Sequence, residues 1–438
     1  MIRKALAFLS ILFVFLLASC RPQAEFPPSV SHQPLWEEFF QGFWDKMNAQ
    51  YAFWYLDSPD DEWNSVYEEY MPQFIDLEGI IGESSETTDL ACRYFYDIVK
   101  NLSDCHYSLR VTDGESWRLV FSKYMYNLLL DNGYTDDEIF SFFTEGNQPT
   151  LYELTERIDS ILKDTFKVNI SGETLGQVTP GAYLAECNVI YKPGKTYDSC
   201  YIFGRTSDNI LYLGLSDFCF SDYMNEREAQ EFISLWRTAI EDYLSGEAGK
   251  DINGIIIDLR GNTGGYNADL PLFWNCLFSE DVYFADTLGK DGMNRLDYGP
   301  WVKYIIHGGE NTSRDFDKPI AVLINKGTVS NGEISTLLFM ALRDYYGFNV
   351  SVFGEDSAGG LGTAFIDNND NQISPFEDPY VFNAGQFNIG YIVGATQNRS
   401  TRYRNGEVYE NTGITPDTMT EAGNATLDAA LKWIRAEI

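Results

Sequence analysis

Two short runs constrain this chain most, Gly254-Ile-Ile-Ile-Asp-Leu259 and Pro319-Ile-Ala-Val-Leu-Ile-Asn325. Each is apolar at successive positions, so both faces of the extended chain must be covered, as in the buried strands of a parallel sheet. A helical pattern over 226–243 precedes the first run, and another over 331–345 follows the second. Weaker strand patterns appear at 188–191, 200–203 and 210–215. Strands alternating with helices predict an α/β fold for the second half of the chain. The final stretch, 425–438, places Leu427, Ala430, Leu431 and Ile434 on one helical face, which should dock on that core.

The first half reads differently. Trp36, Phe39, Phe40, Phe43, Trp44 and Met47 recur at helical spacing, and Trp63, Val66, Tyr67 and Tyr70 repeat the pattern. A third helix is expected over roughly 88–101, and residues 117–167 also read as helical. At the N-terminus, Arg3 and Lys4 precede an apolar run over 5–18 that is too short to span a bilayer. It ends in Leu17-Ala-Ser-Cys20, similar to the lipobox of bacterial lipoproteins. The expected organisation is a signal peptide (1–19), a lipid-anchored tether (20–35), a helical region (36–104), a mixed middle region (105–205) and a catalytic domain (206–438).

Composition narrows the partners. With 31 basic and 65 acidic residues the net charge is −34, which repels a phosphate backbone, so nucleic acid is not an expected partner. Seven cysteines at wide spacing and three histidines offer no zinc-like pattern. Neither a metal nor an organic cofactor is expected, and few disulfides are.

Three segments carry chemistry. The first strand run opens into Asp258-Leu-Arg260-Gly261-Asn262-Thr-Gly264-Gly265, a glycine turn whose N–H groups can face a ligand closely. The second opens into Thr328-Val-Ser330-Asn331-Gly332-Glu333 and then an apolar helix. A serine between strand and helix resembles a nucleophile elbow, with the Asn331 N–H placed to stabilise an oxyanion. Ser330-x-x-Glu333 is equally a capping box, and the local pattern does not choose between them. The third segment, Asp104-Cys105-His106, offers an imidazole for general-base chemistry. It also leaves open a pairing of the Cys105 thiol with His106.

Together and in this order, these segments resemble the carboxy-terminal processing and tricorn-core serine peptidases, the tail-specific protease-like family. Gly354-Glu-Asp-Ser357-Ala-Gly359 and Tyr409-Glu410-Asn-Thr-Gly413-Ile414-Thr-Pro416-Asp417 extend the match. The resemblance implies a catalytic domain of the ClpP/crotonase type. One branch of the family takes a lysine from a Gly-Lys-Gly, and Ser357-Ala-Gly-Gly-Leu-Gly362 contains none. The tricorn-like and retinoid-binding-protein-like branch uses a histidine and a glutamate, at positions matched by His106 and Glu410. The implied site is therefore Ser330 as nucleophile, His106 as base and Glu410 as its partner, with Gly264, Gly265 and Asn331 forming the oxyanion hole. The family's usual PDZ module is not evident. The expected activity is hydrolysis of peptide bonds in a peptide or protein substrate at the bacterial cell envelope, on a membrane-anchored chain. The competing expectation is a peptidase scaffold without turnover that binds peptides or glycans.

Overall fold

The computed structural model describes residues 35–58, 62–77, 84–112, 117–131, 133–144, 184–192, 199–309, 312, 314–362, 381–386, 391–395, 399–421 and 423–438. The expected signal peptide and Cys20 lie outside the described residues, as do 145–183, which include 145–167, the later part of the stretch read as helical.

Three helices open the fold: α1 (Trp36–Gln50), α2 (Glu62–Ile75) and α3 (Ser85–Val99). Their aromatic faces meet as the periodicity requires. Phe40 stacks on Phe74 with ring centroids 4.5 Å apart, and Trp44 lies parallel to Trp63 at 4.4 Å. α3 starts where the Ser84 hydroxyl accepts the Thr87 N–H. Strands β1 (Ser108–Thr112) and β2 (Trp117–Ser122) follow as an antiparallel pair, then α4 (Lys123–Asp131) and α5 (Asp136–Thr144). Residues 117–122 are thus a strand rather than the start of a helix. Leu119 and Phe121 alternate inward, a period-two signal too short to stand out against the helical patterns beside it.

The remaining strands, in chain order, are β3 (Leu184–Lys192), β4 (Ser199–Thr206), β5 (Ile210–Leu215), β6 (Gly254–Asp258), β7 (Val282–Gly289), β8 (Val302–Ile306), β9 (Ile320–Ile324), β10 (Val350–Gly354), β11 (Val381–Gln386), β12 (Tyr391–Ala395), β13 (Arg399–Tyr403) and β14 (Thr418–Met419). Among them run α6 (Arg227–Ser245), α7 (Asp269–Trp274), α8 (Asn331–Tyr346) and α9 (Asn424–Glu437). Seven strands form the main sheet in the order β14-β10-β9-β6-β5-β4-β3. Its centre, β5-β6-β9-β10, is parallel. A second sheet, β11-β12-β1-β2, brings 381–386 and 391–395 back to the N-terminal region, and a third runs β13-β7-β8.

The two apolar runs are the central strands β6 and β9, buried at every position. Their alternation sorts them between two cores. Ile255, Ile257, Ile320, Val322 and Ile324 join Trp236 of α6 and Leu337 and Leu338 of α8. Ile256, Ala321 and Leu323 meet Leu427, Ala430, Leu431 and Ile434 of α9. The mixed α/β class and the docking of the last helix are as the sequence leads one to expect. Cys92, Cys105, Cys200, Cys219 and Cys276 are free thiols. Among the described residues no helix is long and apolar enough to cross a membrane.

Candidate active site

Because β6, β9 and β10 are adjacent and parallel, the turns after them emerge side by side at one edge of the sheet, where open α/β sheets bind ligands. The first turn is rigid from its root. Arg260 donates from Nε to Asp258 Oδ1 (2.9 Å) and from Nη2 to Oδ2 (2.6 Å), and the Tyr212 hydroxyl adds a bond to Oδ2 (2.8 Å). Asp258 and Arg260 therefore hold the turn. The second turn is tied to the first. Asn325 Oδ1 accepts the Gly261 N–H (2.8 Å), and the Val329 N–H donates to the Asn262 carbonyl (2.9 Å).

Ser330 sits directly before α8 with φ 57° and ψ −123°, a conformation that L-residues adopt at a cost of about 1–3 kcal/mol and that clusters at functional sites. Its side chain makes no capping bond, so the hydroxyl is not used as a helix cap. Gly264, at φ 85°, lies against it. A Cβ there would stand 2.4 Å from Ser330 Cβ and 2.8 Å from Oγ, so only glycine fits.

The three expected oxyanion donors surround this hydroxyl but are not equivalent. The Gly264 N–H is already committed to Asn262 Oδ1 (2.9 Å). Gly265 and Asn331 are locked together by Asn331 Nδ2 donating to the Gly265 carbonyl (2.6 Å). The Phe218 bridge beside them runs through Gly264 O and the Tyr266 N–H, which leaves the Gly265 N–H outside it. The Asn331 N–H belongs to the first turn of α8, where donors have no intrahelical acceptor and the helix dipole favours negative charge.

His106 reaches the site from the N-terminal helical region. Its loop is held there by Asp57, which accepts the Ser103 N–H and the Tyr51 hydroxyl, while Tyr51 accepts the Asp104 N–H (3.0 Å). The ring lies against Gly360, where an added Cβ would stand 3.1 Å from His106 Cε1. The Gly360 carbonyl in turn accepts the Ser330 N–H (2.9 Å), so base and nucleophile flank one residue. Asp104, His106 and Glu410 are all buried and place a ligand-type atom each within 4.8 Å of the others. His106 Nδ1 stands 3.8 Å from Asp104 Oδ1.

Glu410 is clamped by three backbone donors: Cys105 N–H on Oε1 (2.9 Å), and Leu361 and Gly362 N–H on Oε2 (2.8 and 2.9 Å). Burial, then the Asp104 charge, push its carboxyl well above the usual range. Burial alone pulls the His106 imidazole down to about 3, so the ring is neutral at rest. The Cys105 thiol is pushed up by burial and by neighbouring carboxylates, which keeps it protonated and removes the thiol–histidine pairing as a nucleophile.

Of the residues expected from the sequence, Gly264 and Asn331 adjoin Ser330, Gly265 is bonded to Asn331, His106 lies on the other side of Gly360, and Glu410 stands in the same buried cluster as His106. Three contributors were not recognised in the sequence. Asn262 occupies the Gly264 N–H, Asp104 stands beside the base, and Glu333 was legible only as half of a capping box. His307, by contrast, is exposed and paired with Asp281.

Residues 209–420 match peptidase family S41 along a stretch holding Ser330, Glu410 and the Gly264-Gly265 turn. Over that stretch, just under half of the chain, the sequence is similar to peptidase family S41. His106 precedes the matched residues, so its part rests on the geometry above. The nisin-resistance protein of Lactococcus lactis subsp. lactis is 26% identical over 237 residues, 52% of this chain and 61% of that protein. The match therefore spans about three-fifths of that relative's length. Among solved structures, a candidate peptidase from Parabacteroides merdae ATCC 43184 shares the fold with a TM-score of 0.53 at 15% identity, covering 92% of this chain and 97% of its own. Mature CPAF, solved with lactacystin, follows at 0.51 and 11%, covering 91% and 97%.

Gly264→Ala should cost about 10²-fold in the reactivity of Ser330, because displacement of a reacting atom by about 1 Å is enough for such a loss; active-site labelling rates measure it, and an unchanged rate would refute the contact. The His106 pKa lies below its unfolded value near 6.5, so its burial adds stability that is complete above that pH and lost as pH falls toward 3. His106→Gln should accordingly flatten the decline in Tm between pH 6.5 and 4.

Proposed function

We propose that the protein is a serine peptidase in which Ser330 forms an acyl-enzyme with His106 as general base. The observation that carries this reading is the strained, uncapped Ser330 pressed against Gly264, with His106 behind Gly360. Oγ attacks the peptide carbonyl as His106 takes its proton, since a serine hydroxyl is a weak nucleophile until that proton is accepted. The resulting imidazolium forms beside Asp104 and Glu410 in one buried cluster, where a neighbouring carboxylate stabilises it most. Gly265 and Asn331 N–H groups receive the oxyanion, and each such donor is worth about 10²–10³ in kcat. His106 then returns the proton to the leaving amine. Water, deprotonated by the same imidazole, hydrolyses the ester and frees the carboxylic acid.

Support for this chemistry comes from the similarity of residues 209–420 to peptidase family S41, from His106 and Glu410 sharing one buried cluster, and from Gly360 lying between His106 and Ser330. The substrate class is a peptide or protein. The place of action is the bacterial cell envelope, with the chain held on a membrane through lipid on Cys20. That placement is supported by the basic, apolar and Leu-Ala-Ser-Cys sequence of the first twenty residues.

A fluorophosphonate probe should label the wild type and not Ser330→Ala, and His106→Ala should slow labelling by at least about 10²-fold. Equal labelling of Ser330→Ala removes the serine from the mechanism. Cys20→Ser should move the protein from the membrane fraction of expressing cells to the soluble fraction; retention on the membrane would refute the lipid anchor.

A further inference from the structure

One turn after Ser330, α8 carries Glu333, whose side chain is fully buried. A capping-box glutamate turns back to its own helix N-terminus. This one also reaches across to another loop. Oε1 accepts the Ser357 hydroxyl (2.5 Å) and the Gly359 N–H (2.8 Å), and Oε2 accepts the Gly360 N–H (2.7 Å). A carboxylate removed from water needs such donors, and three of them converge here from four successive residues.

The loop held in this way, with the two residues after it, contacts Ser330, His106 and Glu410. The Gly360 carbonyl accepts the Ser330 N–H, and Gly360 itself lies against the His106 ring and against Val329. The next two residues, Leu361 and Gly362, donate their N–H groups to Glu410. Ser357 Oγ also accepts the Ile414 N–H (2.6 Å), and the Asn411 N–H donates to the Gly359 carbonyl (2.7 Å). The chain just after Glu410 is therefore fastened to the same loop. Nucleophile, base and acid come from three distant parts of the sequence, and this loop is a common neighbour of all three.

We propose that Glu333 is a positioning residue for the reaction: by gripping 357–360 it sets Ser330, His106 and Glu410 in register. The inference rests on the serine mechanism above. A carboxylate that merely satisfied polar groups in the core would matter to stability and not to reactivity. Gln at this position keeps the volume but has a single acceptor oxygen, so one of the three donors would face an amide NH2 instead. The loop would have to shift, and with it the Gly360 carbonyl and the N–H groups on Glu410.

The test uses the full chain and a fluorophosphonate probe, separating the maximal labelling rate from the probe concentration at half-saturation. For Glu333→Gln the maximal rate should fall by about 10²-fold while half-saturation stays within about two-fold, the pattern of lost transition-state geometry. Wild-type maximal rate in a folded Glu333→Gln, with or without a lower Tm, overturns the proposal. Should that variant not fold, Ser357→Ala removes one of the three donors and should lower the maximal rate by about 10-fold. An unchanged rate there overturns the proposal as well. Failure of the wild type to label at Ser330 would instead overturn the serine mechanism and this inference together, so the two failures are distinguishable.

Discussion

The parallel pairing of β6 with β9 and of β9 with β10 is the constraint on which the rest depends. It sets Ile255 beside Ile320 and Leu323 beside Phe353, so the three strands end almost level. Their turns then meet without any long-range search by flexible side chains. Backbone bonds complete the alignment, from Val329 to Asn262 and from Ala358 to Thr328. Both faces of β6 and β9 are covered by helices, which removes competing water and keeps these strands from slipping register. Rigid strands below and short, mutually bonded turns above are what allow a serine to be held at an unfavourable backbone angle.

Electrostatics in the site run against the chain's general character. A protein of net charge −34 places Asp104, Glu333 and Glu410 together in its interior. Backbone N–H groups offset much of that burial, so the carboxyls are held by the main chain rather than by surrounding lysines or arginines. Even so, Glu333 is raised to about 7, with burial outweighing the hydrogen bonds from Ser357, Gly359, Gly360 and the Ser330 backbone. Burial likewise keeps the His106 imidazole neutral at rest, and Asp104 and Glu410 are the groups beside it.

The helical N-terminal region has a function beyond packing. Tyr51 and Asp57, from the chain after α1, fix the turn that carries His106, and Leu102, Cys105 and Tyr107 are part of the same aromatic core. His106 is thus held by one core, and Ser330 by a helix packed into another. The sheet formed from β1, β2, β11 and β12 fastens the two regions of the chain to each other.

What was legible in the sequence follows from periodicity and short motifs. Continuous apolar runs had to be buried strands, the stripe through Leu427 and Ile434 had to dock, and the glycine turn with Ser330, His106 and Glu410 marked the chemistry. The strand at 117–122 was not legible, because six residues of alternation compete poorly with adjacent helical spacing. Nor could the sequence decide whether Ser330 caps its helix or is free to react, since a capping box and a nucleophile turn use the same residues. That choice depends on the backbone angle at Ser330 and on where Glu333 points. Both are set by Gly264 and by the 357–360 loop, which contact α8 only once the sheet has brought its turns together. Sequence by itself determined which residues are available for catalysis. Tertiary structure decided their partners, because a hydrogen bond between residues 24 to 305 positions apart has no local signature.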